Sequence, residues 1–133
     1  MIYLLDTNTC IYAMKGKYPQ IADRLLTIQP NDICISAITV GELTYGAAKS
    51  KWGEKTLFQM KKFLSPFTII PVDVDDAEVF GQLRALLDLK GTPIGPYDLI
   101  IAAQGLAKGL TVVTHNTKEF ARVPNLKIED WTQ

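Results

Sequence analysis

Residues 2–6 of this chain read Ile2-Tyr3-Leu4-Leu5-Asp6, and they indicate how the rest of the sequence folds. The run from Ile2 to Leu5 is apolar without alternation, which predicts a short strand buried on both faces. Strands of that kind belong to parallel sheets, because the helices that connect parallel strands cover both sides of the sheet. We therefore expect the rest of the chain to alternate between strands and helices.

The remaining sequence shows that alternation. Further strands are predicted at Ile33–Ser36, Thr68–Val72, Leu110–Thr114 and Leu126–Glu129. Helices are predicted at Thr9–Lys15, Pro19–Ile28, Ile38–Ala48, Trp52–Leu64 and Asp75–Leu89, and from Pro96 to a close at Gly109. Trp52 is expected to lie on the apolar stripe of its helix. Together these elements indicate a single α/β domain over residues 1–133, with three layers arranged α/β/α.

The composition favours a folded domain without a membrane anchor. Hydrophobic residues make up 47% of the chain and charged residues 21%, which argues against disorder. Cys10 and Cys34 are too few and too far apart for a zinc site or a disulfide framework, so both are interpreted as free thiols in the core. No apolar run is long enough to span a bilayer and no signal-peptide pattern is present, so a cytoplasmic protein is expected.

The charge distribution leaves nucleic-acid binding open. The formal net charge is zero, whereas nucleic-acid-binding proteins usually carry a basic surface. Between Lys15 and Lys62, however, eight basic residues stand against four acidic ones. These cations either bind phosphates or only solvate helix surfaces, and taken alone the pattern favours the second interpretation.

Acidic residues follow or precede the strands at one edge of the predicted sheet. Asp6 comes directly after the first strand, Glu42 lies early in the helix after the second, and Asp98 lies in the first turn of the helix before the fourth. Asn116 and Glu119 come just beyond the fourth strand. The carboxyl ends of parallel strands meet at the same edge, where ligands of such sheets bind. The sequence therefore predicts that these side chains share one site.

Each of the three main carboxylates also has a purely structural interpretation. Asp6 could cap the following helix, Glu42 could form a capping box with Thr39, and Asp98 could favour the positive end of its helix. Convergence of all three, however, is costly, since two carboxylates about 5 Å apart repel by about 3 kcal/mol at an effective dielectric near 20. A divalent cation removes that penalty, and oxygen ligands favour Mg²⁺ or Mn²⁺. Phosphodiester hydrolysis is the reaction that such a site suits best.

Polar neighbours of these acids are candidates for supporting roles. Thr7 and Asn8 could position the metal's waters, Ser36 ends the second strand, and Thr114 could hydrogen-bond a ligating carboxylate. Turn or cap chemistry explains Asn8 equally well and Ser36 better. The single histidine, His115, has no partner in the sequence and is interpreted as structural.

Four segments of the chain closely resemble the PIN-domain family, and within it the VapC-type toxins of bacterial toxin–antitoxin pairs. The first two segments are Leu4-Leu5-Asp6-Thr7-Asn8 and Ile35-Ser36-Ala37-Ile38-Thr39-Val40-Gly41-Glu42-Leu43 with Gly46. The others are Gly95-Pro96-Tyr97-Asp98-Leu99-Ile100-Ile101-Ala102 and Val113-Thr114-His115-Asn116-Thr117-Lys118-Glu119-Phe120, and the ending Ile128-Glu129-Asp130-Trp131 is also similar. They follow the family order over nearly the whole sequence.

The resemblance implies a five-stranded parallel sheet, a Mg²⁺ or Mn²⁺ site at Asp6, Glu42 and Asp98, and endonucleolytic cleavage of structured RNA. It implies transfer RNA as the substrate class, specifically the anticodon stem-loop of the initiator species. It also implies a VapB-like antitoxin that occupies the toxin's groove, and a homodimer. Many PIN domains carry a fourth acid where this chain has Asn116. Either Glu119 or a water fills that position, which leaves the number of metal ions open.

Two other functions are compatible with parts of the sequence. A catalytically silent PIN-like module would bind RNA or a protein without cleavage, but the acids at all three matching positions argue against it. A receiver-type phosphotransfer domain would need an acceptor aspartate after a central strand, and Asp73 is the only candidate. The leading hypothesis is therefore a metal-dependent toxin ribonuclease.

Overall fold

Five parallel strands form one sheet with helices on both faces in the computed structural model, which describes residues 1–133. The strands are β1 (Tyr3–Leu5), β2 (Ile33–Ser36), β3 (Thr68–Ile70), β4 (Thr111–Val113) and β5 (Ile128–Glu129). The helices are α1 (Thr7–Lys15), α2 (Pro19–Thr27), α3 (Ala37–Ala48), α4 (Gly53–Leu64), α5 (Val74–Leu89), α6 (Pro96–Lys108) and α7 (Thr117–Phe120). The order across the sheet is β3-β2-β1-β4-β5. The predicted α/β/α fold with a five-stranded parallel sheet is confirmed.

The strand that opens the chain lies at the centre of the sheet. Leu4 of β1 pairs in register with Cys34 of β2 on one side and with Val112 of β4 on the other. Leu4 and Leu5 are both fully buried. Covered on both faces and at both edges, β1 has no solvent side, which explains why its sequence does not alternate.

Two hydrophobic cores lie on opposite faces of the sheet. Leu4 packs on one face with residues of α5, α6 and α7, while Leu5 packs on the other face with residues of α1 to α4. Successive strand residues point to opposite faces, so neighbouring leucines enter different cores. Cys34 lies in the first core and Cys10 in the second, both as buried free thiols, as predicted.

Most element boundaries lie within one or two residues of the prediction. The strand predicted to reach Val72 ends earlier, at Ile70, because Pro71 has no N–H to pair with a neighbouring strand. The placement of Trp52 on the apolar stripe of the helix α4 was wrong. Trp52 precedes α4 with a non-helical backbone, and its side chain is 67% exposed. The short helix α7 was not predicted.

A buried polar network joins α5 to α6, away from the edge of the sheet that carries Asp6. The fully buried Asp76 accepts hydrogen bonds from Lys108 Nζ at 2.6 Å and from Gln104 Nε2 at 3.3 Å. Asp73 and Asp76 also form a capping box at the start of α5. The pair between Lys108 and Asp76 therefore fixes the position of α5 against α6. None of the helices is both long and apolar enough to cross a membrane.

Candidate active site

Asp6 lies at the carboxyl end of the central strand and is 3% exposed. Its Oδ1 accepts a hydrogen bond of 2.9 Å from the backbone N–H of Thr9, so it is also the N-cap of α1. Burial raises the pKa of Asp6 above its ordinary value, and the charge of Glu42 adds to that rise, while hydrogen bonds from Thr114 and Thr9 oppose it. The capping and catalytic interpretations of Asp6 are thus compatible, because each uses the same carboxylate at the start of α1.

Glu42 is held by the first residue of α1 rather than by its own helix. Its Oε1 accepts a 2.6 Å hydrogen bond from Thr7 Oγ1, and Thr7 Oγ1 also lies 3.0 Å from Thr39 Oγ1. The alternative capping box between Thr39 and Glu42 does not form, because α3 begins at Ala37 and its N-cap is Ser36. The carboxylate of Glu42 therefore points toward the end of β1.

The protonation of Asp98, like that of Asp6, is affected by its surroundings. The pKa of Asp98 is raised to about 6, first by partial burial and then by the negative charges of Asp6, Glu42 and Glu119. Asn116 acts in the opposite direction and lowers the pKa. These four carboxylates thus act on one another as a single anionic cluster. None of them forms a salt bridge, since the ion pairs of the chain all lie elsewhere.

Asn116 and Glu119 form a pair at the edge of the anionic cluster. Asn116 Nδ2 donates a 2.8 Å hydrogen bond to Glu119 Oε2, and the backbone N–H of Asn116 donates to Thr114 Oγ1 at 2.9 Å. The predicted position of both residues beyond β4 is correct. The helix α7, which brings Glu119 back one turn toward Asn116, was missed because four residues are too few for a periodic signal.

Three other candidate residues have different surroundings. Ser36 Oγ accepts a hydrogen bond from Ile38 N and caps α3, without a hydrogen bond to any of the carboxylates. Asn8 is exposed, forms no side-chain hydrogen bond and lines an open cleft beside Glu42. His115 turns to the C-terminal segment, where Nδ1 lies 3.0 Å from Asp130 Oδ2 and from Thr132 Oγ1.

The donor set of the cluster suits a hard divalent cation. Carboxylate oxygens of Asp6, Glu42 and Asp98 are ligands that Mg²⁺ and Mn²⁺ prefer, and no cysteine or histidine takes part. No three acidic, histidine or cysteine side chains, however, stand close enough together to form a coordination shell as they are placed. Like charges repel, so coordination of one ion requires these side chains to draw together.

Comparisons with known proteins show the family of this chain. The sequence model of the PIN-domain family matches residues 3–126 of this chain. This chain belongs to the PIN-domain family. A tRNA(fMet)-specific endonuclease VapC from Salmonella typhimurium is 45% identical over 129 residues, which cover 97% of each chain. Ribonuclease VapC2 from Rickettsia felis is 42% identical over 132 residues, which cover 98% of each chain.

The VapC resemblance extends to the solved structures. The crystal structure of DNA-bound VapBC from Salmonella typhimurium matches with a TM-score of 0.94 at 44% identity and covers 98% of each chain. Within the PIN-domain family the chain is thus a VapC-type nuclease, as its motifs predicted. The anionic cluster at the end of β1 lies in the segments that carry those motifs, which makes it the candidate active site of this PIN domain.

Proposed function

We propose that this chain is a Mg²⁺- or Mn²⁺-dependent endoribonuclease toxin whose ion is held by Asp6, Glu42 and Asp98. The observation that supports this most is the mutual electrostatic effect of these carboxylates and Glu119, none of which has a cationic partner. An anionic cluster without compensating charge is unfavourable unless a cation binds. Asn116 and Glu119 complete the pocket, and Thr7, Asn8 and Thr114 support it.

The chemistry divides between the ion and the protein. When bound, Mg²⁺ or Mn²⁺ polarises the phosphodiester and lowers the pKa of water enough to make it a nucleophile. Thr7 fixes the carboxylate of Glu42, and the backbone N–H of Thr9 holds that of Asp6, so both acids keep their orientation. Asn116 holds Glu119 at the rim and favours the ionised form of Asp98. Lysines between Lys15 and Lys62 attract the RNA backbone.

The substrate and partners proposed here follow those of the relatives. We propose that the substrate is transfer RNA, specifically the initiator species, in line with the name of the tRNA(fMet)-specific endonuclease from Salmonella. The family resemblance of the sequence motifs implies cleavage in the anticodon stem-loop. A VapB-like antitoxin would neutralise the toxin by occupying its groove, in line with the VapBC complexes. The working form is proposed to be a cytoplasmic homodimer in which residues 1–133 act as one domain.

The test is RNA cleavage by Asp6→Asn with Mn²⁺ at saturation. We expect cleavage of transfer RNA to fall by orders of magnitude while the circular dichroism spectrum stays that of the wild type. Asp75→Asn is the matched control, because Asp75 is an exposed carboxylate in the first turn of α5. Equal cleavage by Asp6→Asn and the wild type would refute the assignment.

A further inference from the structure

An open cleft lies directly beside the candidate active site. It has a volume of about 600 Å³, within the range of about 300–1,000 Å³ that small-molecule sites occupy. Thr7 and Glu42, which hydrogen-bond each other in the active site, form part of its wall. The cleft and the carboxylates are therefore continuous, and a substrate bound at one reaches the other.

Two exposed tyrosines line this cleft. Tyr45 follows Glu42 by three residues on α3, and Tyr97 immediately precedes Asp98 on α6. Their side chains are 65% and 58% exposed, and neither hydroxyl forms a hydrogen bond within the protein. Large aromatic side chains usually bury most of their area. The fold uses neither ring for its core, so both are available to a ligand.

A glycine keeps the cleft open between them. Gly41 lies inside α3, where glycine costs about 1 kcal/mol of helix stability relative to alanine. Neither the backbone nor the packing requires it, because its φ is not positive and an added Cβ would meet nothing within 4 Å. The missing side chain instead adds to the open space of the cleft.

A cation stands beside one of the rings. Lys49 Nζ lies 4.9 Å from the centroid of the Tyr45 ring. An aromatic face next to a positive charge suits a nucleotide, whose base stacks on the ring while its phosphate meets the cation. Tyrosine, unlike a basic side chain, attracts the base rather than the backbone. The Tyr45 ring in the cleft and Lys49 next to it, which does not itself line the cleft, together offer both kinds of contact that single-stranded nucleic acid requires.

We propose that this tyrosine cleft, formed by Tyr45, Tyr97 and Gly41, binds one unpaired nucleobase of the RNA adjacent to the phosphodiester at the carboxylates. The inference rests on the proposed ribonuclease function and extends it to substrate choice. Bases in a duplex are stacked and paired, whereas bases in loops can be splayed out and stacked on aromatic side chains. The cleft therefore selects single-stranded loops over duplex stems.

The test measures binding separately from cleavage. An RNA hairpin with 2-aminopurine in its loop is titrated with the protein in Ca²⁺, and the dissociation constant and the fluorescence are recorded. We expect Tyr97→Leu and Tyr45→Leu each to raise Kd about tenfold, which corresponds to about 1.4 kcal/mol and lies within the range for loss of one base–aromatic stack. Gly41→Leu fills the cleft and should have the same effect. The 2-aminopurine fluorescence should be quenched by the wild type and less so by these variants.

Matched controls separate stacking from folding. Tyr97→Phe and Tyr45→Phe keep the aromatic faces and should bind as the wild type does. Phe58→Leu removes an aromatic ring that is 70% exposed on α4 and lines no part of the cleft, so its Kd should not change. The proposal would be overturned if both Tyr→Leu variants bound the hairpin as tightly as the wild type does. The cleft would then serve something other than RNA, such as a protein partner. Failure of the ribonuclease function would appear differently, as no cleavage by the wild type in Mn²⁺.

Discussion

The hydroxyl of Thr7 donates a 2.6 Å hydrogen bond to Oε1 of Glu42 and so connects the start of α1 to α3. Thr7 is 8% exposed and also contacts the Thr39 hydroxyl, so its side chain has little freedom to move. The bond fixes one carboxylate of the active site relative to Asp6, the residue that precedes Thr7. A metal site needs such support, because ligands with free rotamers bind an ion less tightly.

Thr7→Val is predicted to lower Mn²⁺ affinity or RNA cleavage by about 10- to 100-fold, the range for loss of a hydrogen bond that orients a ligand. The free energy of unfolding should fall by about 2 kcal/mol, since the hydrogen bonds to Glu42 and Thr39 are both lost while the volume is kept. Calorimetric Mn²⁺ titration and denaturant unfolding measure the two effects. Thr7→Ser retains the hydroxyl, so its Mn²⁺ affinity and its free energy of unfolding should equal those of the wild type. A Thr7→Val variant with unchanged Mn²⁺ affinity would show that the hydrogen bond to Glu42 has no role in the site.

The pKa of about 6 for Asp98 predicts a pH dependence of stability without metal. The ordinary value is 3.8, so the folded state holds this proton more tightly than the unfolded state does. The free energy of unfolding should therefore fall as pH rises from about 4 through about 6. Protons compete with the ion in the same window, so Mn²⁺ affinity should rise with pH up to about 6.

Thermal unfolding of the wild type and Asp98→Asn in chelator measures this contribution. Asp98→Asn cannot ionise, so its melting temperature should vary less between about pH 4 and pH 7 than that of the wild type. Groups away from the anionic cluster titrate equally in both proteins, so the difference reports Asp98 and its effect on the neighbouring carboxylates. Identical pH profiles would contradict the raised pKa.

Asn116→Asp is predicted to strengthen metal binding at the expense of metal-free stability. The variant places a fifth carboxylate beside Asp98 and removes the donor that now holds Glu119. Repulsion should lower the melting temperature in chelator, and Mn²⁺ should raise it more than in the wild type, since ligand binding to the folded state stabilises it. Asn116→Ala removes the same donor without adding charge; equal Mn²⁺ responses of the two variants would contradict the prediction.

Asp76→Asn is predicted to destabilise the fold by about 3 kcal/mol, because it leaves Lys108 without its buried partner. The pair lies on the α5–α6 side, so cleavage measured per folded molecule should be that of the wild type. Asp75→Asn changes an exposed carboxylate of the same helix and should cost less than about 0.5 kcal/mol. Chemical denaturation of the two variants measures the difference, and equal stabilities would argue against the network.

Sequence patterns predicted the parts of this molecule that depend on local periodicity. The unbroken apolar run of β1 identified a central strand, and Asp6 after it identified the edge where the site lies. The hydrogen bond between Thr7 and Glu42 was beyond such patterns, because it joins residues 35 positions apart through side-chain rotamers. Trp52 was misplaced for a related reason, since the helical periodicity of the sequence extends back to Trp52, whereas the helix itself begins only at Gly53.

The tyrosine cleft was also invisible in the sequence. Tyr45 and Tyr97 lie on different helices, and an exposed aromatic residue cannot be distinguished from a buried one without coordinates. Gly41 gave the one local signal, as a glycine inside a helical pattern without a structural need.

Anomalous scattering of Mn²⁺ in crystals of this protein grown with the ion tests whether the carboxylates hold a cation. We expect a strong peak bounded by carboxylate oxygens of Asp6, Glu42 and Asp98, absent from crystals of Asp6→Asn. A peak bound by other residues, or no peak while these oxygens point away from one another, would contradict the assignment.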